Sequence, residues 1–435
     1  MSLSPLPERS PQKIGRVHYG WFMMAVTFLV LLAGAGVRAT PGVMIQPLEQ
    51  TFGWSAAQIS SAISVNLVLY GLLGPFAAAL MKTIGVRRVA VIALALLAIG
   101  ALSSLFMRTP LQLLLTWGIL VGTGSGMAAL TLGATVANRW FTKHRGLAMG
   151  LMTASSATGQ LVFLPLMAAL VTSYGWRAAA WTSGLGAVIV LPVAWLCMRE
   201  SPAALGLAPV GGHGPATPSN NNDTSSANPF ATAINGLLDA SRHGAFWLLA
   251  GSFFICGAST NGFIGTHFVS ICADHGISAV HSASLLATMG IFDLFGTTLS
   301  GWLSDRFDNR RLLFWYYGLR GLSLLFLPYA FGFSFYGLPI FTVFYGLDWI
   351  ATVPPTVRLT NSVFGRDKGP IIFGWIVACH QVGAAFATLV AGMMRASLGN
   401  YQLATMCSGG LCIVGALVVL KVRAGKPAAM LGSAG

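Results

Sequence analysis

The sequence predicts an all-α membrane protein whose twelve transmembrane helices form two six-helix pseudo-repeats. Three observations carry that prediction. Of 435 residues, 55% are hydrophobic and 8% charged, whereas soluble domains carry about 25% charged residues. Twelve apolar runs approach the roughly 20 residues that a hydrocarbon core demands. A pattern also recurs without gaps 223 positions later. Phe52-Gly53-Trp54-Ser55 returns as His275-Gly276-Ile277-Ser278, Gly85-Val86-Arg87-Arg88 as Asp308-Asn309-Arg310-Arg311, and Arg145-Gly146 as Lys368-Gly369. Such a repeat signifies two copies of one membrane-embedded half, an arrangement suited to alternating access.

Residues 1–17 are polar and read as a cytoplasmic tail. The first half, 18–198, holds runs near 20–45, 58–80, 88–106, 111–138, 146–170 and 177–198. In lipid the backbone polar groups must be satisfied within the segment, so these runs are helices. The period-2 alternation of a barrel is absent. The first run is too long for a cleavable signal, and no small-residue cleavage site follows it. Glycines 118, 122, 124 and 126 in span four, and 146, 150 and 159 in span five, let helices approach closely. Gly122-Thr123-Gly124-Ser125-Gly126 follows no strand and is not a nucleotide loop. Residues 199–243 form a cytoplasmic linker: its middle, Gly211 to Ser226, lacks the apolar content to pack, and Ala231 to Arg242 suits a short amphipathic helix. The second half, 244–422, holds runs near 244–272, 280–303, 310–331, 335–360, 368–395 and 400–422, followed by a tail at 423–435.

The net charge of +14 is explained by topology. With a cytoplasmic amino terminus, 20 of the 25 Lys and Arg residues fall on the cytoplasmic side. Three, Arg108, Arg177 and Arg395, fall outside, and Arg38 and Arg320 lie within helices. This positive-inside bias places a multi-pass protein in the inner (plasma) membrane with both termini in the cytoplasm. It leaves no clustered footprint for nucleic acid. The six cysteines lie in or at the ends of apolar runs without ligand spacing, so they read as small apolar residues rather than disulfides or a metal site. Neither a cofactor loop nor a catalytic group is evident.

Gly301-Trp302-Leu303-Ser304-Asp305-Arg306-Phe307-Asp308-Asn309-Arg310-Arg311 resembles the inner-loop motif of the major facilitator superfamily, Gly-x-Leu-x-Asp-Arg-x-Gly-Arg-Arg, with Asp308 replacing a Gly. The first-half copy, Ala78 to Arg88, keeps Gly85, Arg87 and Arg88 but has Lys82 at the Asp position. The resemblance implies that Asp305, Arg306, Arg310, Arg311, Arg87 and Arg88 belong to gating loops. Lys82 cannot form the usual ion pair, so the first-half gate must latch differently. Trp140-Phe141-Thr142-Lys143-His144-Arg145-Gly146-Leu147-Ala148-Met149-Gly150 is similar to the span-five signature of monocarboxylate transporters, and Tyr19-Gly20-Trp21 partly matches their span-one signature. Oxalate–formate antiporters share much of this pattern. Both groups place an Arg on span eight shortly after an acidic or amide residue; here Asp293 fits the acidic position and Thr297 stands where the Arg belongs. Gly42 falls near their span-one Lys, with Arg38 one turn earlier, and His380 falls near the antiporters' span-eleven Lys.

Ionisable groups inside spans cost about 2.5–3.5 kcal/mol on insertion scales, so each needs a partner or an aqueous cavity. Asp293, Arg320 and Asp348 lie 10 to 12 residues from the inner ends of spans eight, nine and ten. At about 1.5 Å per residue that is one shared depth. The spacing predicts a network of Asp293, and with it Asp348, around Arg320. It serves either as a static ion pair or as a proton-coupling element. Arg38 precedes Pro41, which weakens the local helix, and its repeat partner is Asn261. A guanidinium and an amide at equivalent positions suit a carboxylate. Asn66, Tyr70, Gln160, His380 and Gln381 are further substrate-binding candidates, and Tyr70 is the repeat partner of Asp293.

The sequence therefore reads as a secondary transporter moving a small organic anion, a monocarboxylate above all, by alternating access. Coupling would be proton symport, through Asp293 or His380, or anion exchange. Partners are that anion, protons and the bilayer, and the chain reads as a monomer. Efflux of drugs or amphipathic metabolites is the alternative within transport and predicts a cavity of Met and aromatic residues. A non-transporting sensor would need a soluble signalling domain, where the sequence has a featureless linker. An intramembrane enzyme would need a nucleophile–base pair or metal cluster at one depth.

Overall fold

The computed structural model describes residues 18–159, 163–212, 229–333, 336–365 and 368–422. The predicted tails at 1–17 and 423–435, the polar middle of the linker at 213–228, and Gln160 lie outside them. Apart from an isolated bridge between Phe141 and Val210, the described residues form helices and their connections.

Twelve helical rods follow the apolar runs. Spans one to four are Tyr19–Phe52, Ala56–Thr83, Val86–Phe106 and Pro110–Trp140. Span five comprises Arg145–Thr158 and Leu164–Tyr174, and span six is Trp176–Cys197. Span seven is Gly244–Asp274 and span eight Ala279–Ser304. Span nine is Asn309–Ala330, and span ten comprises Gly337–Asp348 and Val353–Phe364. Spans eleven and twelve are Gly369–Leu398 and Gln402–Val419. Among the described residues, nine of these rods are each long and apolar enough to cross a membrane by length and composition. The other three have local reasons: span five is described in two pieces, span nine carries Arg310, Arg311 and Arg320, and span ten is broken after Asp348. The predicted amphipathic helix is present as Pro229–Ser241.

The repeat is visible in the helix ends. Gly53 and Gly276 adopt φ of 69° and 76°, a left-handed conformation costly for other residues. Two positions later Ser55 and Ser278 each accept a backbone N–H, from Gln58 and His281, at the start of the next span. Where the first copy uses Gly85, the second uses Asp308, whose carboxylate caps span nine through the N–H of Arg310 at 2.9 Å.

Loops after the even-numbered spans gather the cations and define a basic end of the bundle. One apolar core, with Val30, Leu94 and Trp117, lies within the first half, and another, with Phe246, Leu313 and Tyr317, is formed chiefly by the second. A third crosses the seam, joining Leu164, Met167 and Val171 of span five to Phe263 and Phe268 of span seven. Span two packs on span eleven over most of its length. Ser64 donates to the Ala385 carbonyl at 2.7 Å, Gly71 seats the Gln381 side chain, and Phe76 meets Trp375 edge-on at 6.0 Å. The predicted glycine packing occurs in span four: side chains at Gly118 and Gly122 would strike span two, and one at Gly124 would strike span three. The helix Pro229–Ser241 lies under spans two and eleven at the basic end, with Trp375 donating to the Ala233 carbonyl at 2.8 Å and Phe230 stacked on Phe76.

Candidate functional site at the seam of the two halves

Spans one, two and seven, with Leu164 of span five and Leu286 of span eight, line a central cavity of about 160 Å³ between the halves. Arg38, Asn66, Tyr70 and Asn261 all line it. The sequence placed these residues on three different helices, and the fold brings them together. The Arg38 guanidinium lies 4.6 Å from the centre of the Tyr70 ring, a cation–π contact that holds the cation without neutralising it. Among the described residues, no carboxylate pairs with Arg38. Asn66 is partly committed, its Nδ2 donating to the Trp117 carbonyl at 2.6 Å. That carbonyl lies in a π-helical stretch of span four, Leu114–Val121.

Asn261 sits in a second π-helical stretch, Ala258–Ile264 of span seven. Such insertions are frequent at functional sites because they interrupt the regular bonding ladder. Sequence reasoning missed two of the residues beside it, Gly265 and Thr266, which also line the cavity. The Thr266 hydroxyl donates to the Asn261 carbonyl at 3.0 Å. The signal that could have found Gly265 was the repeat, since Gly42 and Gly265 are equivalent positions. They face one another: a Cβ on Gly42 would lie 3.2 Å from the Gly265 carbonyl oxygen. Gly42 also lines a wider cavity of about 310 Å³ toward the end opposite the basic loops, with Gln46, Gln50, Thr172 and Ser270.

The three buried charges are arranged differently from the network expected around Arg320. Arg320, 1% exposed, donates through Nε to Asp348 Oδ2 at 2.7 Å and through one terminal nitrogen to the carbonyls of Asp348 and Trp349 at 2.5 and 3.3 Å. Its other terminal nitrogen lies 2.9 Å from Cys256 Sγ. Asp293 instead accepts from the N–H of Ile350 at 2.8 Å and from the Thr297 hydroxyl at 2.9 Å. The reason is the break in span ten, which frees backbone groups that must find partners inside the membrane. Asp293, Arg320 and Ser300, whose hydroxyl donates to the Ala351 carbonyl at 2.5 Å, supply them. Asp293, Arg320 and Asp348 are not among the described residues lining the central cavity. Cys256 is likewise more than an apolar filler, and Cys407 is exposed.

His380 and Gln381 stand on span eleven beside the seam. His380 Nδ1 is buried without a hydrogen-bond partner, and its ring packs 5.0 Å from Phe253. Gln381 is 5% exposed and also leaves its Oε1 unsatisfied. Neither lines the cavity among the described residues, and Gln160 lies outside them.

At the basic end, Asp305 pairs with Arg358 of span ten, Arg306 stacks over Trp302 at 4.0 Å, and Arg310 pairs with Asp308 at 2.6 Å. The hydrogen bond from Arg310 holds the Asp308 carboxyl below its ordinary range. In the first half, Lys82 is exposed. Glu200, at the end of span six, takes over the restraint by accepting from the N–H groups of Val86 and Arg87 and pairing with Arg139 at 3.6 Å. Arg87 stacks over Trp195 at 4.7 Å. Among the described residues, no group of three His, Cys, Asp or Glu side chains could hold a metal ion.

The family model described as Major Facilitator Superfamily matches residues 26–388 and, in a second match, 261–433. Monocarboxylate transporter 13 of Rattus norvegicus is 28% identical over 407 residues, covering 92% of this chain and 88% of the relative. Monocarboxylate transporter 11 of Homo sapiens is 23% identical over 433 residues, covering 98% and 88%. An uncharacterized MFS-type transporter of Bacillus subtilis (strain 168), YcxA, is 23% identical, covering 91% and 92%. Among solved structures, a bacterial homolog of the human lysosomal transporter Spinster superposes with a TM-score of 0.72 at 16% identity, covering 93% of this chain and 97% of the other. The xylose transporter XylE from E. coli gives 0.69 at 17%, covering 94% and 99%. At these identities the structures bear on the fold alone.

Proposed function

We propose, from the premise that this chain belongs to the Major Facilitator Superfamily, that it is a secondary transporter for a small monocarboxylate, working by alternating access. The carrying observation is Arg38: a cation at the seam of the two halves, in a cavity, with a ring beneath it and no acid beside it among the described residues. Leaving such a charge uncompensated inside a membrane is costly. A substrate carboxylate gripped by the guanidinium fork, with Asn261 assisting, supplies the missing charge. The cavity of about 160 Å³ is smaller than the roughly 300–1,000 Å³ of drug-sized sites, which favours a small anion over an amphipathic drug. Among the described residues its lining sets Arg, Asn, Tyr, Thr and Gly among aliphatic side chains, with no Met and a single aromatic ring, which departs from the Met and aromatic lining that efflux of such compounds calls for. The kinship with proteins named monocarboxylate transporters points the same way.

Coupling is by proton symport or by exchange of one anion for another. For symport, His380 is favoured as carrier because its Nδ1 is buried and unpartnered, whereas Asp293 is engaged by the Ile350 N–H, which braces span ten, and by the Thr297 hydroxyl of its own helix. The basic end faces the cytoplasm by the positive-inside rule, which puts both termini there, and the protein works as a monomer in the plasma membrane. The test is uptake of labelled small carboxylates into proteoliposomes, with and without an inward proton gradient. The parent is expected to accumulate a carboxylate, and Arg38→Gln to lose at least tenfold, the cost of about one charge-assisted hydrogen bond. An Arg38→Gln variant that transports like the parent sinks the assignment. Exchange is the coupling mode if internal carboxylate, and not the gradient, drives uptake.

A further inference from the structure

A second polar concavity, of about 590 Å³, opens at the basic end where spans two, three, four and six terminate. Five cations line it, Lys82, Arg87, Arg88, Arg139 and Arg199, against the single acid Glu200, which leaves four positive charges in excess. Part of the set is committed. Glu200 caps span three and pairs with Arg139, and Arg139 donates to the carbonyls of Glu200 and Met81, both at 3.2 Å. Arg199 donates to the carbonyls of Leu196 and Met198. Lys82 and Arg88 are exposed and, among the described residues, meet no carboxylate.

The second half shows what the first has lost. There Asp305, the counterpart of Lys82, pairs with Arg358, and Asp308 pairs with Arg310, which leaves Arg306 and Arg311 as the charge in excess, two against the four of the first half. With Lys82 in place of the acid, Glu200 is the one acid among the described residues lining the first-half pocket, and the charge on Lys82 and Arg88 is left for an external anion to balance. The rim shows where that anion comes from. Trp195, under the Arg87 guanidinium, and its neighbour Leu196 are 47% and 65% exposed near the end of span six, an apolar face beside the cations. Basic clusters at the membrane surface attract anionic headgroups, Arg forks fit phosphate oxygens, and an indole suits the interface.

We propose that this pocket binds the phosphodiester of an anionic membrane lipid, with Lys82 and Arg88 on the phosphate and the acyl chains against Trp195 and Leu196. The bound lipid supplements Glu200, balancing the charge that this single acid leaves over and steadying the first-half loop. The full chain is purified in neutral detergent, and its melting midpoint is followed while dioctanoyl phosphatidylglycerol, dioctanoyl phosphatidylcholine or inorganic phosphate is titrated in. The phosphatidylglycerol is expected to raise the midpoint saturably. The Lys82→Gln/Arg88→Gln double variant should need about thirtyfold more of it, while Arg108→Gln, at the opposite end, should behave as the parent. Lys82→Asp, which puts back the residue type of the second copy at an exposed position, should blunt the response and serves if the double variant folds poorly. An unchanged response in both pocket variants, or an equal response to phosphatidylcholine, overturns the site. Reproduction of the shift by inorganic phosphate at the same concentrations overturns the lipid as the source.

Discussion

Arg320 has a partner for each nitrogen of its guanidinium: the Asp348 carboxylate, two backbone carbonyls and the Cys256 sulfur. Buried ion pairs gain little over apolar replacements, because desolvation offsets the Coulomb attraction, but breaking one strands a charge at about 3–5 kcal/mol. Arg320→Met is therefore expected to lower the melting midpoint in detergent sharply, and Arg320→Met/Asp348→Leu to recover most of the loss. A double variant no better than the single would show that the hydrogen bonds to span ten, rather than the charge balance, hold the site. Arg38 responds in the opposite way. Its guanidinium is met by the Tyr70 ring and by no acid among the described residues, so removing the charge strands no partner, and Arg38→Gln should leave the parent's stability unchanged to within about 0.5 kcal/mol or raise it. Transport should be lost all the same, and that split separates a substrate ligand from a structural cation.

At the scale of the element, span ten shows what the sequence could and could not reveal. The apolar runs marked its limits, and counting along helices put Asp293, Arg320 and Asp348 at one depth; in the structure Arg320 bonds Asp348, and Asp293 bonds Ile350 two residues further on. Height follows from spacing, but rotation about the helix axis does not, and the break after Asp348 turns those side chains toward different partners. Pro354-Pro355, at the start of Val353–Phe364, was the local sign of that break, because proline suits a first turn and not an interior. The cavity group fared better, since the repeat tied Arg38 to Asn261 and both line one space; Gly265 was within reach of the same repeat through Gly42, whereas the Thr266 hydroxyl is one of many in these spans and only the fold turns it to the cavity. Asp293 supplies the element's test. Asp293→Asn keeps an acceptor for the Ile350 N–H and should fold as the parent, whereas Asp293→Ala leaves that N–H unsatisfied at about 1–3 kcal/mol. If Asp293→Asn also keeps gradient-stimulated uptake, Asp293 is a brace for span ten and the proton passes elsewhere.

Across the whole molecule, the halves touch between spans two and eleven, spans five and eight, and spans one and seven, and the first and last of these seams differ in character. The seam of spans two and eleven is continuous and is clasped at the basic end by the helix Pro229–Ser241, where Lys368 bonds Asp239 at 3.0 Å. That bond lowers the Asp239 pKa below its ordinary value. A lowered carboxylate contributes above its unfolded pKa and loses that contribution as pH falls through the folded value. The clasp is thus intact at neutral pH, and any melting difference between parent and Asp239→Asn should vanish on acidification below the carboxylate range. The seam of spans one and seven narrows to Gly42 against Gly265, between the central cavity and the wider one beyond. Alternating access requires the two halves to part and close about a fixed site, and the repeat supplies a glycine from each half at the place where they meet. A side chain on Gly42 has only 3.2 Å to the Gly265 carbonyl, so Gly42→Val must wedge the seam. The expected result is a folded protein with strongly reduced uptake, in which a Ser270→Cys probe in the wider cavity reacts faster with a water-soluble thiol reagent than the same probe on the Gly42 background. Unchanged uptake together with unchanged labelling would mean that the two halves do not close at this pair of glycines, and the moving seam would have to be sought elsewhere along spans one and seven.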